Sequence, residues 1–181
     1  MAEDTVSKPE GVPFPSPTAG PVSDWSLTVY ESLKDWAGRR GGSWARWEPG
    51  YLVLTIDKHN GEQVEPAVIH TSGDALTVTF GYWDDESREV DDAAALSEIR
   101  QWAENWIEGV WSTAVYTQED GRWCGSRCIV EPGIPERIAD VEWISNFNPT
   151  HVEIRRARKS EWRRYAIVDG ALIDDPRSRH D

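Results

Sequence analysis

Residues 121–130, GRWCGSRCIV, hold both cysteines of the chain, two arginines and a tryptophan within ten positions. Such a run could be an arginine-activated thiolate, half of a zinc clip, a disulfide, or one strand of a core. Zinc wants a second ligand pair at close spacing, and the four histidines, at 59, 70, 151 and 180, are scattered. A phosphate-cradling cysteine loop wants its arginine further on and a helix behind it. Here Arg127 follows Cys124 by three positions and no helical pattern comes next. As a strand over 122–130, the run places Cys124 and Cys128 on one face. Four extended residues separate them by roughly 13 Å, well beyond the roughly 4.4–6.8 Å between Cα atoms that a disulfide spans. The reading is a strand with two free, plain thiols.

Other candidates are His70, at the end of the apolar run AVIHT, and the stretch YWDDESREVDDAAALSE. His70 reads as a hydrogen-bonded structural residue. Between 84 and 98 the acidic stretch holds seven carboxylates and one base, Arg88. It reads as an exposed loop joining a strand to a helix, with Tyr82 and Trp83 as aromatic neighbours. Its spacing lacks the alternating carboxylates and the glycine of a calcium loop, so no metal and no cofactor is expected. As a docking surface its residues are Tyr82, Trp83, Asp84, Asp85, Glu86, Glu89 and Asp91. The segment RRARKSEWRRY (155–165) is the opposite pole, with six bases and one acid. The acids serve a partner only where that basic run does not neutralise them.

These residues are positioned by elements that the pattern predicts. The 181 residues carry eleven tryptophans and a net charge of −13. Aromatic burial of that extent supplies a core without disulfide or metal. The charge excludes a generally basic nucleic-acid binder and favours a basic partner. No apolar run reaches the length of a membrane span, and MAEDTVSKPE lacks the form of a secretory signal, so a cytoplasmic protein is expected. Residues 1–23, with five prolines, read as a flexible tail, 24–173 as a single domain and 174–181 as a polar tail. Helices are expected over 24–37, stopped by Gly38 and Gly41–Gly42, and over 92–108, with Leu96, Ile99, Trp102, Ala103, Trp106 and Ile107 inward and Glu104 outward. Strands are expected at YLVLTID, AVIHT, ALTVTFGYW (Leu76, Val78, Phe80 and Tyr82 on the buried face), WSTAVYT, RWCGSRCIV, VEWIS, HVEIRR and WRRYAIV. The fold class is α+β: mainly one antiparallel sheet of about six to seven strands with the two amphipathic helices packed on one face.

Over residues 78–133 the order FGYWDDES, amphipathic helix, EDGRWCGSRCIVEPG resembles small bacterial α+β proteins, some of them similar to immunity proteins that neutralise toxins. That resemblance implies a non-enzymatic, protein-binding role toward a basic, toxin-like partner. The competing expectation is a small enzyme or ligand-binding domain in which His70, a cysteine and carboxylates converge on a pocket.

Overall fold

The computed structural model describes residues 5–6, 21–87, 92–130 and 147–175. Residues 1–4 and 7–20 of the expected tail, the VEWIS strand and residues 176–181 lie outside them, whereas Thr5–Val6, expected as flexible tail, is a short strand paired antiparallel at Ala45 and Trp44. The chain divides into two compact units: Met1–Phe80 with Asp84–Ile107, and Gly81–Trp83 with Glu108–Asp181.

The first unit carries helix α1 (Asp24–Arg39), helix α2 (Asp92–Ile107) and a sheet of six strands in sequential order: β1 (Thr5–Val6), β2 (Ser43–Glu48), β3 (Tyr51–His59), β4 (Glu62–Ser72), β5 (Ala75–Phe80) and β6 (Trp83–Ser87). From β2 to β6 the sequential order follows from short turns, which pair neighbours antiparallel, whereas β1 joins β2 across α1. Leu52, Leu54 and Ile56 on β3, Ala67 and Ile69 on β4, and Leu76, Val78 and Phe80 on β5 alternate with half-buried residues. This face takes both helices. α1 offers Val29, Leu33, Trp36 and Ala37; α2 offers Ala95, Ile99, Ala103, Trp106 and Ile107.

The ends of α1 follow the residue types. The Ser23 hydroxyl accepts the Ser26 amide at 3.1 Å, satisfying one donor that the first turn leaves open. The helix passes through Gly38, expected to stop it, and ends one turn later where Gly41 takes a φ of 68°, a conformation that costs glycine little. Ser26 also meets the buried Thr71 hydroxyl at 2.6 Å, and that hydroxyl accepts the Leu52 amide at 3.1 Å. A buried polar chain thereby ties helix to sheet.

Strand β4 is longer than the expected AVIHT and runs through Pro66, a residue that argues against a central strand. The register with β3 slips between Ile56 and Lys58, so the proline falls where the ladder is already interrupted. The Glu65 carbonyl beside it accepts the Trp106 indole N–H at 3.0 Å.

The second unit is a five-stranded antiparallel sheet in the order β11-β10-β9-β7-β8, built from β7 (Ser112–Thr117), β8 (Trp123–Ile129), β9 (His151–Arg155), β10 (Arg163–Val168) and β11 (Ala171–Asp174). Ala114, Tyr116, Cys124 and Val152 form its buried cluster, with Ile129, Ile154, Tyr165, Ile167 and Leu172 packed against it. The architecture is therefore α+β and antiparallel, but in two sheets where one sheet of six or seven strands was expected. The physical reason is non-local: β7 takes β9 as its second neighbour across a long connection, and the strand pattern of a sequence carries no label for its partner.

Candidate functional site

The FGYW stretch makes a two-residue turn between β5 and β6. Gly81 and Tyr82 both take positive φ, 54° and 68°, the backbone hand that matches the twist of a tight hairpin. Tyr82 therefore leaves the buried face on which alternation placed it and is 62% exposed. Left-handed backbone at a bulky residue costs on the order of 1–3 kcal/mol. Its surroundings in the second unit offset that cost. The Thr113 hydroxyl donates to the Gly81 carbonyl at 2.7 Å. The Arg155 guanidinium lies 4.5 Å from the centre of the Tyr82 ring and 4.4 Å from that of Trp162, a cation held between two ring faces. Glu153 accepts the Arg155 Nε–H at 2.5 Å and keeps the guanidinium plane in place.

Downstream, the acidic run expected as a loop is in its first part a strand. β6 is the last strand of its sheet, with Asp84 and Asp85 exposed and Trp83 half-buried. Glu86 belongs to β6 as well; Glu89 and Asp91 lie outside the described residues. Charge on an edge strand discourages indiscriminate strand pairing. Among the described residues Asp84 makes no ion pair.

The basic run finds its carboxylates close at hand. Arg155 pairs with Glu153, Arg156 and Arg158 with Glu161 at 3.7 and 3.5 Å, and Arg164 with the buried Asp175 at 3.7 Å. Strand β9 supplies the first acid, the short 3-10 turn Lys159–Glu161 the second, and the residue after β11 the third.

His70 stands on β4 on the face away from the helices, with Val53 and Thr77 as its ladder neighbours. Burial among them pushes the imidazole below its ordinary value, partly offset by the negative charges of Asp84 and Glu48. The unfolded chain takes up this proton near pH 6.5, and the folded chain resists it. The stability His70 contributes is thus complete above pH 6.5 and declines as the pH falls below it. In a proton NMR titration the His70 ring is expected to titrate below 6.5. Asp84→Asn should move its midpoint lower still, and an upward or absent change would separate Asp84 from His70.

The strand expected at RWCGSRCIV is β8, but its cysteines do not share a face. The register runs Tyr116 opposite Gly125 and then Thr117 opposite Trp123. Cys124 is the extra residue of a bulge, which reverses the alternation around it. Its side chain joins Tyr116, Ala114 and Val152 in the buried cluster. Cys128, opposite Thr113, faces the other side and is half-buried. Both are free. Burial raises the Cys124 thiol above its usual value, Arg122 opposes this only in part, and Asp120 adds to it. The arginine-activated thiolate reading loses its basis. With a thiol reagent at neutral pH, Cys128 is expected to react well before Cys124, and both should count as free thiols once the chain is denatured. Faster modification of Cys124 would contradict its burial.

Among the described residues neither unit by itself holds both His70 and a cysteine. His70 is carried by the first unit and the cysteines by the second. The clefts between α1 and α2 (Leu33, Leu96, Arg100 and Glu104 among its walls), beside the β7–β8 turn (Gln118, Asp120, Thr150) and at the end of α1 are lined by none of the three. Among the described residues no three or more His, Cys, Asp or Glu side chains group to hold a metal ion, and no helix is long and apolar enough to cross a membrane. Protein-family models, curated proteins and solved structures were all compared with the chain, and none matches it.

Proposed function

We propose that the chain is a non-enzymatic protein-binding domain, of the kind immunity-type inhibitors represent, that offers strand β6 and the turn before it to a basic protein. One observation carries this reading. Asp84 and Asp85 of β6 are exposed, while four of the six bases of the run 155–164 (Arg155, Arg156, Arg158 and Arg164) are engaged by Glu153, Glu161 and Asp175. Among the described residues Asp84 has no ion pair, which leaves its carboxylate open to a basic partner. The exposed Tyr82, held in a costly backbone conformation, adds an aromatic anchor of the type that dominates interfaces. Trp83 and Glu86 extend the same short stretch, and Glu89 and Asp91 continue it in sequence. An edge strand also presents open main-chain groups to an incoming segment. The same proposal makes the protein cytoplasmic, where an immunity-type inhibitor would intercept its target.

The test is affinity capture from the cells that make the protein, using the full chain as bait. A basic protein is expected to be retained by the wild type, released by salt, and not retained by the double variant Asp84→Lys, Asp85→Lys. Equal retention by both baits would remove β6 from the interface.

A further inference from the structure

At the end of α1 the first unit holds a cleft of about 440 Å³, within the size range of small-molecule sites. Its walls are Arg39, Arg40, Lys58, His59 and Asn60, and two glycine turns shape its rim: Gly41 (φ 68°) closing the helix and Gly61 (φ 83°) closing the β3–β4 hairpin. Among the described residues no carboxylate and no Phe, Tyr or Trp lines it. We infer that this cleft binds the phosphate group of a small polar molecule.

The argument begins with charge. Acidic residues outnumber basic ones 32 to 19, so a cation placed at random has carboxylates to spare. Arg39 and Lys58 nevertheless make no ion pair among the described residues, and they face the same cleft from different elements, one from the helix and one from β3. Basic residues at a helix C-terminus have an ordinary explanation, since they complement the negative end of the dipole. That explanation covers Arg39 and Arg40 and does not reach Lys58, which the hairpin delivers. Arg40 is anchored instead of free: its guanidinium lies 3.8 Å from Glu104 and 3.4 Å from His59 Nδ1.

The buried His59 then completes the floor. Arg40 can only donate, so Nδ1 accepts and the ring hydrogen sits on Nε2. Asn60 Nδ2 stands 2.9 Å from Nε2; with the hydrogen on Nε2 the amide is assigned in its flipped orientation, oxygen toward the ring and NH2 away from it. The result is a concave surface of donors: an anchored guanidinium, an exposed one, an ammonium and an amide. Phosphate, with its several acceptor oxygens, answers that set. No Phe, Tyr or Trp face stands in the lining, and the His59 ring is buried with both nitrogens engaged, which argues against a nucleobase in need of a stacking face and favours a compact phosphorylated polyol.

The experiment is calorimetric titration of the full chain with ribose 5-phosphate, with inorganic pyrophosphate, and with sodium sulfate as the ionic-strength control. Saturable binding of ribose 5-phosphate is expected, with Lys58→Gln and Arg39→Gln each weakening it about tenfold, the equivalent of about 1.4 kcal/mol. Both residues are exposed, so both variants should melt with the wild type. Arg122→Gln, in the other unit, should bind as the wild type does. Binding of pyrophosphate without ribose 5-phosphate would retain the phosphate site and assign it to a bare diphosphate. The inference is overturned by absence of saturable binding to either phosphate ligand, by equal binding of sulfate, or by wild-type affinity in the Lys58→Gln, Arg39→Gln double variant.

Discussion

Trp106→Ala is expected to destabilise the chain by about 3–5 kcal/mol in chemical denaturation, the usual loss for truncating a large aromatic in a core. Trp106 is wholly buried. Its ring stacks on Phe80 with centroids 4.9 Å apart and planes 17° from parallel, and its N–H satisfies the Glu65 carbonyl. Truncation therefore leaves a cavity, removes a ring contact and takes the indole donor from the Glu65 carbonyl beside Pro66. Trp106→Phe isolates the last of these, retaining most of the volume, and should cost about 0.5–1.5 kcal/mol, the net worth of one hydrogen bond. A loss at Trp106→Ala no larger than that at Trp106→Phe would mean that the cavity collapses freely. The natural comparison is Glu104, two residues earlier. Helical spacing puts it on the outward arc, where truncation costs about 0.5 kcal/mol or less. In the fold it bridges the helices instead. Its carboxylate accepts the Trp36 indole N–H at 2.6 Å and lies 3.4 Å from Arg100 and 3.8 Å from Arg40. Glu104→Ala is accordingly expected to cost about 1–3 kcal/mol, with most of the loss tracing to the indole left without an acceptor.

Glu104 marks the boundary of what the sequence makes legible. Period alone placed both helices within two residues of their ends, because hydrophobic spacing and caps are local signals. It also identified the inward arc of α2, where Ile99, Ala103, Trp106 and Ile107 are buried while Leu96 and Trp102 are half-buried. What one helix offers another is not local, so a glutamate that reads as solvated becomes the acceptor for a tryptophan 68 positions away. The same limit applies to the strands. RWCGSRCIV announces itself by composition, whereas the bulge that turns Cys124 inward comes from its pairing with β7. FGYW reads as more strand, since tyrosine is a strand former and an unfavoured residue in a left-handed turn. Only the pairing of β5 with β6 reveals the corner. The clustering of Arg39, Arg40 and Lys58 was likewise invisible. GRRGG reads as a helix stop, which it is, and DKHNG as a hairpin turn, which it also is; their meeting at one cleft is a property of the sheet. The acidic candidate was legible in its residues and not in its form, because DDES has little strand propensity and pairs with β5 only once the turn has reversed the chain.

Reversing the charge of β6 with Asp84→Lys and Asp85→Lys is expected to slow association with the basic partner by tenfold or more while leaving the fold standing. Electrostatic steering raises encounter rates by about 10–10³-fold, and a double reversal both removes attraction and adds repulsion. Exposed charges contribute little to stability, and Asp84 has no ion pair among the described residues to lose. The change in unfolding free energy should stay within about 0.5 kcal/mol per site. Salt gives an independent reading. The wild-type rate should fall as ionic strength rises, because exposed charges are screened beyond a Debye length of about 8 Å at physiological salt, and the variant's rate should rise or stay flat. Dissociation should change far less than association where the acids steer and do not sit in a desolvated centre. Tyr82→Ala tests the other half of the site: an anchor acts after encounter, so its loss should quicken dissociation and leave association nearly unchanged. Removing the Tyr82 ring also takes one face from the Arg155 stack, so the melting temperature must be measured beside the rates. The opposing account, in which the acids of β6 serve only the fold, requires the reverse pattern. Asp84→Lys, Asp85→Lys would then lower the melting temperature and bind the partner at the wild-type rate, and that outcome would end the docking proposal.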